Sequence, residues 1–285
     1  CRADDQGRDT MTTNTGHDRL LVAGGGIGGL AAALALARIG RPVTVLGQAE
    51  TLGEIGAGIQ LGPNAFTAFD ALGVGERARA RAVYVERMLM MDAVDGGTVA
   101  SLPVGEAFRE RFANPYAVIH RADAHGALLD AARADPAIEL LTSARVERVE
   151  QHEGGVVATD AQGRRHRGAA LVACDGVRSA IRAQYVGDPV RVSGHVVYRA
   201  VVDAADSPAD LRWNAPVVWA GPDCHLVHYP LRGSGQYNVV VTFHSREREQ
   251  WSVREGSPDE VRSYFGGILP LLGQLLLWPL LVFWG

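Results

Sequence analysis

The sequence predicts an α/β protein of two interleaved parts, one built on parallel βαβ units and one on an antiparallel sheet. Three observations carry this. An apolar strand beginning at Leu20 runs through a glycine-rich turn into an alanine-rich helix and on to a second strand at Pro42 to Leu46. Another apolar strand, Ala169 to Ala173, ends in Cys174-Asp175-Gly176. From Val192 to Phe243, short β-branched runs alternate with Gly and Pro turns, as antiparallel strands do.

The first element carries the most chemistry. Leu20 to Gly40 reads LLVAGGGIGGLAAALALARIG, placing Gly24, Gly26 and Gly29 at G-x-G-x-x-G spacing between a strand and a helix. This is how a Rossmann βαβ unit receives a dinucleotide pyrophosphate. Gly24 permits the tight turn, Gly26 brings phosphate against bare backbone, and Gly29 lets helix and strand pack closely. The diphosphate then faces the positive end of the helix dipole.

Next comes a glycine-rich loop, Gly53 to Gly62, and a short helix around Asn64 to Leu72. Gly53, Gly56 and Gly58 leave little side-chain bulk there, which suits either close approach to a flat ring or a plain turn. Strand-like alternation follows over Val83 to Ala100, where Met88, Met90 and Met91 read as sheet packing. The spacing of Leu128, Leu129, Ala132 and Arg133 predicts a helix over Arg121 to Ala134. Strands are expected within Ile138 to Glu150, at Val156 to Thr159, and at Val196 to Val202, Val217 to Ala220, His225 to Leu231 and Tyr237 to Phe243.

Bulk properties set limits. With 285 residues, 47% hydrophobic and 21% charged, the chain can bury a sizeable core. A net charge of −4 gives no electrostatic reason to expect nucleic acid. Cys1, Cys174 and Cys224 are scattered without metal-ligand spacing, so no metal is expected, and a reducing cytoplasm is. Both ends look unusual. Residues 1–10 are expected to be a non-native leader before Met11. The run 268–285, ILPLLGQLLLWPLLVFWG, has no ionisable side chain and is expected to be an aberrant tail, with a membrane anchor as the alternative reading.

Four segments in order resemble the class A flavoprotein aromatic hydroxylases: the opening glycine unit, GEIGAGIQLGPNA (Gly53 to Ala65), HRADAHGALL (His120 to Leu129) and ACDGVRSAIR (Ala173 to Arg182). The later strands GHVVYRAVV (Gly194 to Val202) and CHLVHYPL (Cys224 to Leu231) are most similar to the 3-hydroxybenzoate 6-monooxygenase and salicylate hydroxylase branch. The resemblance implies a glutathione-reductase-like FAD-binding domain over 18–75 and 118–185, interleaved with an antiparallel substrate domain over 76–117 and 186–267. It implies FAD as cofactor, NADH as electron donor with NADPH as the alternative, and molecular oxygen and a small aromatic acid as reactants. The best reading is conversion of 3-hydroxybenzoate to 2,5-dihydroxybenzoate. The alternatives are a salicylate hydroxylase and an inactive truncated remnant, associated with a membrane only if the tail is genuine, and a homodimer is left open.

The same resemblance assigns residues. Gly24, Gly26, Gly29, Arg121, Asp175 and Gly176 would contact FAD, with Ser179 and Arg182 completing the Asp-Gly motif. His225 and Tyr229 match the active-site pair. Four apart, they share one strand face with backbones about 13 Å apart, while His228 faces the other way. Arg199 suits a substrate carboxylate or an exposed strand position. The sequence also departs from the family. Gly47 stands where the fold wants an acidic residue for the adenosine ribose, so weaker FAD affinity is expected. The family's later G-D motif is absent, replaced by the apolar run.

Overall fold

The computed structural model describes residues 18–53, 56–189, 191–246, 257–268 and 281–282. The expected leader at 1–10 lies outside these residues. Of the apolar run 268–285, only Ile268, Leu281 and Val282 lie within them.

In chain order, β1 (Leu20–Ala23), α1 (Ile27–Arg38) and β2 (Val43–Leu46) form the opening βαβ unit. Then come β3 (Gly58–Leu61), α2 (Pro63–Ala71), α3 (Gly75–Arg79), β4 (Val83–Tyr84), β5 (Arg87–Asp92), β6 (Thr98–Pro103), α4 (Glu106–Phe112), β7 (Ala117–His120) and α5 (Arg121–Ala134). The middle of the chain supplies β8 (Ile138–Leu141), β9 (Val146–His152), β10 (Gly155–Asp160), β11 (Arg165–Gly168), β12 (Leu171–Ala173) and α6 (Ala180–Tyr185). The last part holds β13 (His195–Asp203), β14 (Val217–Gly221), β15 (Cys224–Leu231), β16 (Gln236–His244), α7 (Pro258–Tyr264) and β17 (Leu281–Val282).

Two compact units result. One takes in the chain through Leu52 and again Asp135–Asp188; the other takes in Gly53–Ala134 and the chain from Pro189. The boundaries expected from sequence, at 75 and 118, differ. The structure groups 53–75 and 118–134 with the second unit, because β3 and β4 both pair with β7.

The first unit contains a parallel sheet in the order β12-β1-β2-β8. β2 is buried along its whole length, as parallel strands covered on both faces require. Helix α1 presents Gly29, Leu30, Ala33 and Leu34 inward, one helical face of small and branched residues. A three-stranded antiparallel sheet, β11-β10-β9, packs through Val146, Val149 and Ala158 with Leu21, Leu46 and Ile181. Its turn is organised by Asp160, whose side chain is wholly out of solvent. Burial alone would raise this carboxyl, but hydrogen bonds from His166, the Arg164 side chain and the Gln162 and Arg164 amides bring it down to about 2.

The second unit is dominated by a seven-stranded sheet, β17-β13-β16-β15-β14-β5-β6. It is antiparallel except between β14 and β5, which run parallel. One face packs Val196, Tyr198, Leu226, Val239, Val241 and Phe243 against Val261 and Phe265. Helix α7 starts with Ser257 accepting from the Glu260 amide, and Glu260 in turn accepts from the Tyr198 hydroxyl. The opposite face carries Tyr229 and Leu231, which pack with Val83, Val85, Val104 and Val118. The smaller sheet β3-β7-β4 supplies Val83 and Val118 to that cluster. Among the described residues no helix is long and apolar enough to cross a membrane.

Candidate functional site

In the first unit Gly24, Gly26, Gly29, Asp175 and Gly176 lie at the carboxyl ends of β1 and β12, where open α/β sheets bind ligands. Ala23 pairs with Ala173, and the Cys174 amide donates to the Ala23 carbonyl at 2.8 Å. The turn Gly24-Gly25-Gly26 therefore lies beside Cys174-Asp175. Gly24 has φ +114°, in the region that favours glycine, and a Cβ on it would stand 2.1 Å from the Cys174 carbonyl oxygen. A Cβ on Gly29 would lie 1.8 Å from the Gly24 oxygen, so helix and turn touch through bare backbone. Gly26 is the N-cap of α1 and extended, with no side-chain cap, and the first turn carries no acidic residue. An uncapped, 12-residue helix with no acidic residue in its own first turn fits a diphosphate.

Asp175 is half-buried and engaged locally. Its Oδ1 accepts from the Ser179 hydroxyl at 2.6 Å and its Oδ2 from the Ile181 amide at 3.3 Å, so the carboxylate caps α6 together with Ser179. Gly176, with φ +85° and open space around it, makes the turn between them.

Gly47 stands where an acidic residue is expected. The structure places Leu52 there. Its Cδ2 would be 2.7 Å from a Cβ on Gly47 and 2.5 Å from one on Gly25, so one apolar side chain covers both bare positions.

The second unit holds the remaining candidates. Arg121 opens α5, is exposed, and donates its amide to the Ala57 carbonyl at 3.0 Å. The glycine loop before it is bare for a reason the sequence did not reveal. A Cβ on Gly56 would lie 2.3 Å from the His120 ring, and one on Gly58 2.4 Å from the Tyr229 ring. The flat groups against these glycines are the protein's own.

His225 and Tyr229 lie on one face of β15, since they pair with Thr242 and Asn238 of β16 four residues apart. The structure does not bring their surroundings together. Tyr229 is buried in the valine cluster, and burial raises its hydroxyl pKa, opposed by the Arg199 charge and reinforced by Tyr116. His225 is half-buried further along the strand; burial first and the charge of His195 second lower its pKa. His195 itself faces His244 across β13 and β16, ring centroids 5.2 Å apart.

Arg199 pairs with Val240, two residues from Asn238, and so shares the face of Tyr229 and Asn238. Its Nε is buried without a hydrogen-bond partner among the described residues. His228 is on the opposite face, buried, and stacks on Trp219 at 17° between ring planes; burial lowers its pKa to about 4. Sequence reasoning missed Asn238, His195 and Leu52. The one available signal was an asparagine inside the run YNVVV. No cluster of three or more His, Cys, Asp or Glu able to hold a metal occurs among the described residues.

Comparison with known proteins decides the family. Residues 18–264 match the FAD binding domain family. The chain belongs to that family. Among its relatives, a 3-hydroxybenzoate 6-hydroxylase of Polaromonas naphthalenivorans (strain CJ2) is 62% identical over 269 residues, covering 94% of this chain and 67% of that protein. A protein of the same name from Klebsiella oxytoca is 57% identical over 258 residues, covering 90% and 65%. A crystal structure of a Klebsiella pneumoniae HpxO variant complexed with FAD superposes with a TM-score of 0.74 at 25% identity, covering 92% of this chain and 66% of that one. The fold also matches a salicylate hydroxylase substrate complex, with a TM-score of 0.75 at 24% identity, covering 94% and 67%. The chain spans about two-thirds of the length of the curated relatives it matches.

Proposed function

We propose that the chain is the cofactor- and substrate-binding part of an NADH-consuming, FAD-dependent hydroxylase that converts 3-hydroxybenzoate to 2,5-dihydroxybenzoate. The observation that carries this reading is the 62% identity to a protein named for that activity. The uncapped start of α1 behind a left-handed Gly24 supports the cofactor half.

Gly24, Gly26 and Gly29 would hold the FAD pyrophosphate, with Gly176 turning the chain beside it and Asp175 setting that turn through α6. The family resemblance assigns Arg121 to the cofactor as well. When bound, FAD would carry the electrons that NADH donates and would supply molecular oxygen in an activated form. A phenol ring reacts poorly with an electrophile until its proton is drawn off, and the chain must supply the acceptor. His225 suits that task because burial and His195 together favour its neutral form. Tyr229 suits the complementary one. Burial favours its protonated, neutral hydroxyl, which would donate a hydrogen bond to the substrate.

Turnover measured in a chain extended with the remaining third of the Polaromonas relative tests this. His225→Ala should leave NADH oxidation largely intact, lower hydroxylated product by roughly 10² to 10⁴, and return the difference as hydrogen peroxide. Product from salicylate but not from 3-hydroxybenzoate would move the assignment to another substrate. Failure of either acid to stimulate NADH oxidation would reject the hydroxylase reading.

A further inference from the structure

Asn238 sits within β16 with no exposed surface, flanked along its strand by Tyr237 and Val239. A primary amide in that position is costly unless its polar atoms are paired. One of them is. The Gly58 amide donates to Asn238 Oδ1 at 2.7 Å in a buried bond that joins residues 180 apart in the chain. Because a backbone N–H can only donate, the atom facing it must be the oxygen, and this fixes which way the amide points. The nitrogen then faces away from Gly58, and Asn238 Nδ2 is buried with no partner among the described residues.

The surroundings of that nitrogen indicate what it meets. Tyr229 is the direct cross-strand neighbour of Asn238. Its ring rests on the bare Cα of Gly58, where a Cβ would be 2.4 Å from Cε2 and 2.8 Å from the hydroxyl oxygen. Arg199 shares the same sheet face and also buries an unpaired N–H. A neutral donor and a cationic donor, both unpaired and both on the face of Tyr229, are complementary to an anionic oxygen pair.

We propose that Asn238 is a specificity-determining residue: its Oδ1 holds the Gly58 backbone beneath the Tyr229 ring, and its Nδ2 donates a hydrogen bond to the carboxylate of the aromatic acid. The second half rests on reading this face as an aromatic-acid site. The two halves separate by substitution. Asn238→Asp keeps an acceptor for the Gly58 amide but replaces the donor with a negative oxygen. Asn238→Leu removes both functions while filling the same buried space, and leaves the buried Gly58 N–H without its acceptor.

The test is binding of 3-hydroxybenzoate and of 3-hydroxybenzamide by calorimetry to the full chain in excess FAD, with hydrogen exchange of residues 56–62 followed without ligand. Asn238→Asp should keep wild-type exchange at Gly58, bind the acid at least about tenfold more weakly, and prefer the amide, which can donate to the new carboxylate. Asn238→Leu should speed exchange at Gly58 and also weaken the acid at least about tenfold. If a buried carboxylate prevents folding, the leucine variant alone decides. Wild-type acid affinity or unchanged Gly58 exchange in folded Asn238→Leu would overturn the proposal while leaving the site reading intact. If the wild-type chain binds neither ligand, the site reading fails and the carboxylate contact falls with it.

Discussion

Gly29→Ala should unsettle the first unit far more than one methyl group ordinarily does. Its Cβ would lie 1.8 Å from the Gly24 carbonyl oxygen, whereas ordinary contact begins at 3.4 Å, so about 1.6 Å of separation must be found. Neither side can yield easily. The Gly24 turn is already closed against the Cys174 carbonyl, with only 2.1 Å to a Cβ built there, and α1 is held by buried Leu30, Ala33 and Leu34. Overpacking of a well-packed site costs about 1–3 kcal/mol, and the obstacle here is backbone, so the upper end applies. For a chain of this size about 3 kcal/mol lowers the melting temperature by roughly 6–12 °C. Gly28→Ala is the matched control. Nothing lies within 4 Å of its Cβ, and alanine within a helix should be neutral or stabilising by about 0.5–1 kcal/mol. Circular dichroism melts of both variants decide the matter. Gly29→Ala melting with wild type, or Gly28→Ala falling as far as Gly29→Ala, would refute this explanation of the glycine spacing.

Three further outcomes follow from side chains on the two units. His228, buried and brought from 6.5 to about 4, is neutral in the fold but protonated in the unfolded chain below pH 6.5. Its contribution is therefore complete above pH 6.5 and lost as pH falls toward 4, by about 3 kcal/mol in all; His228→Phe should flatten this stretch of the stability profile, and an unchanged slope would count against it. Gly47→Glu alone should not tighten FAD binding, because Leu52 covers the position; combined with Leu52→Ala it should gain roughly tenfold by calorimetric titration. In the extended enzyme, activity should fall on acidification as His225 protonates, and His195→Asn, by removing a neighbouring positive charge, should move that acid limb to higher pH. A limb that stays in place would separate His195 from the titration.

How far the fold was legible depends on which forces are local. The helices at Ile27–Arg38 and Arg121–Ala134 follow from apolar spacing and small residues, and the Val-rich strands β13 to β16 from β-branched runs between turns. β3 falls within the glycine-rich loop of the sequence, because Gly58 interrupts any alternation and its pairing comes from β7, far along the chain. The parallel pairing of β14 with β5 leaves no mark in either strand's sequence. The sites divide in the same way. The Gly24 turn shows in sequence because backbone conformation demands it. Gly56 and Gly58 suggested room for a ring, but their spacing does not say that the rings are His120 and Tyr229. Asp175 stands in its motif, yet its bonds to Ser179 and Ile181 depend on how α6 folds back. Asn238 became visible only when its partner, 180 residues away, was placed beside it.

The seat formed by Gly24, Gly26 and the start of α1 is open to direct observation by hydrogen exchange of residues 22–30 with and without nucleotide. FAD and ADP, which both carry the adenosine diphosphate group, should slow exchange at residues 24–30, where the first-turn amides would meet phosphate. FMN, which lacks that group, should leave them unchanged. Exchange that ignores FAD and ADP, or that slows equally with FMN, would contradict a pyrophosphate site at this turn.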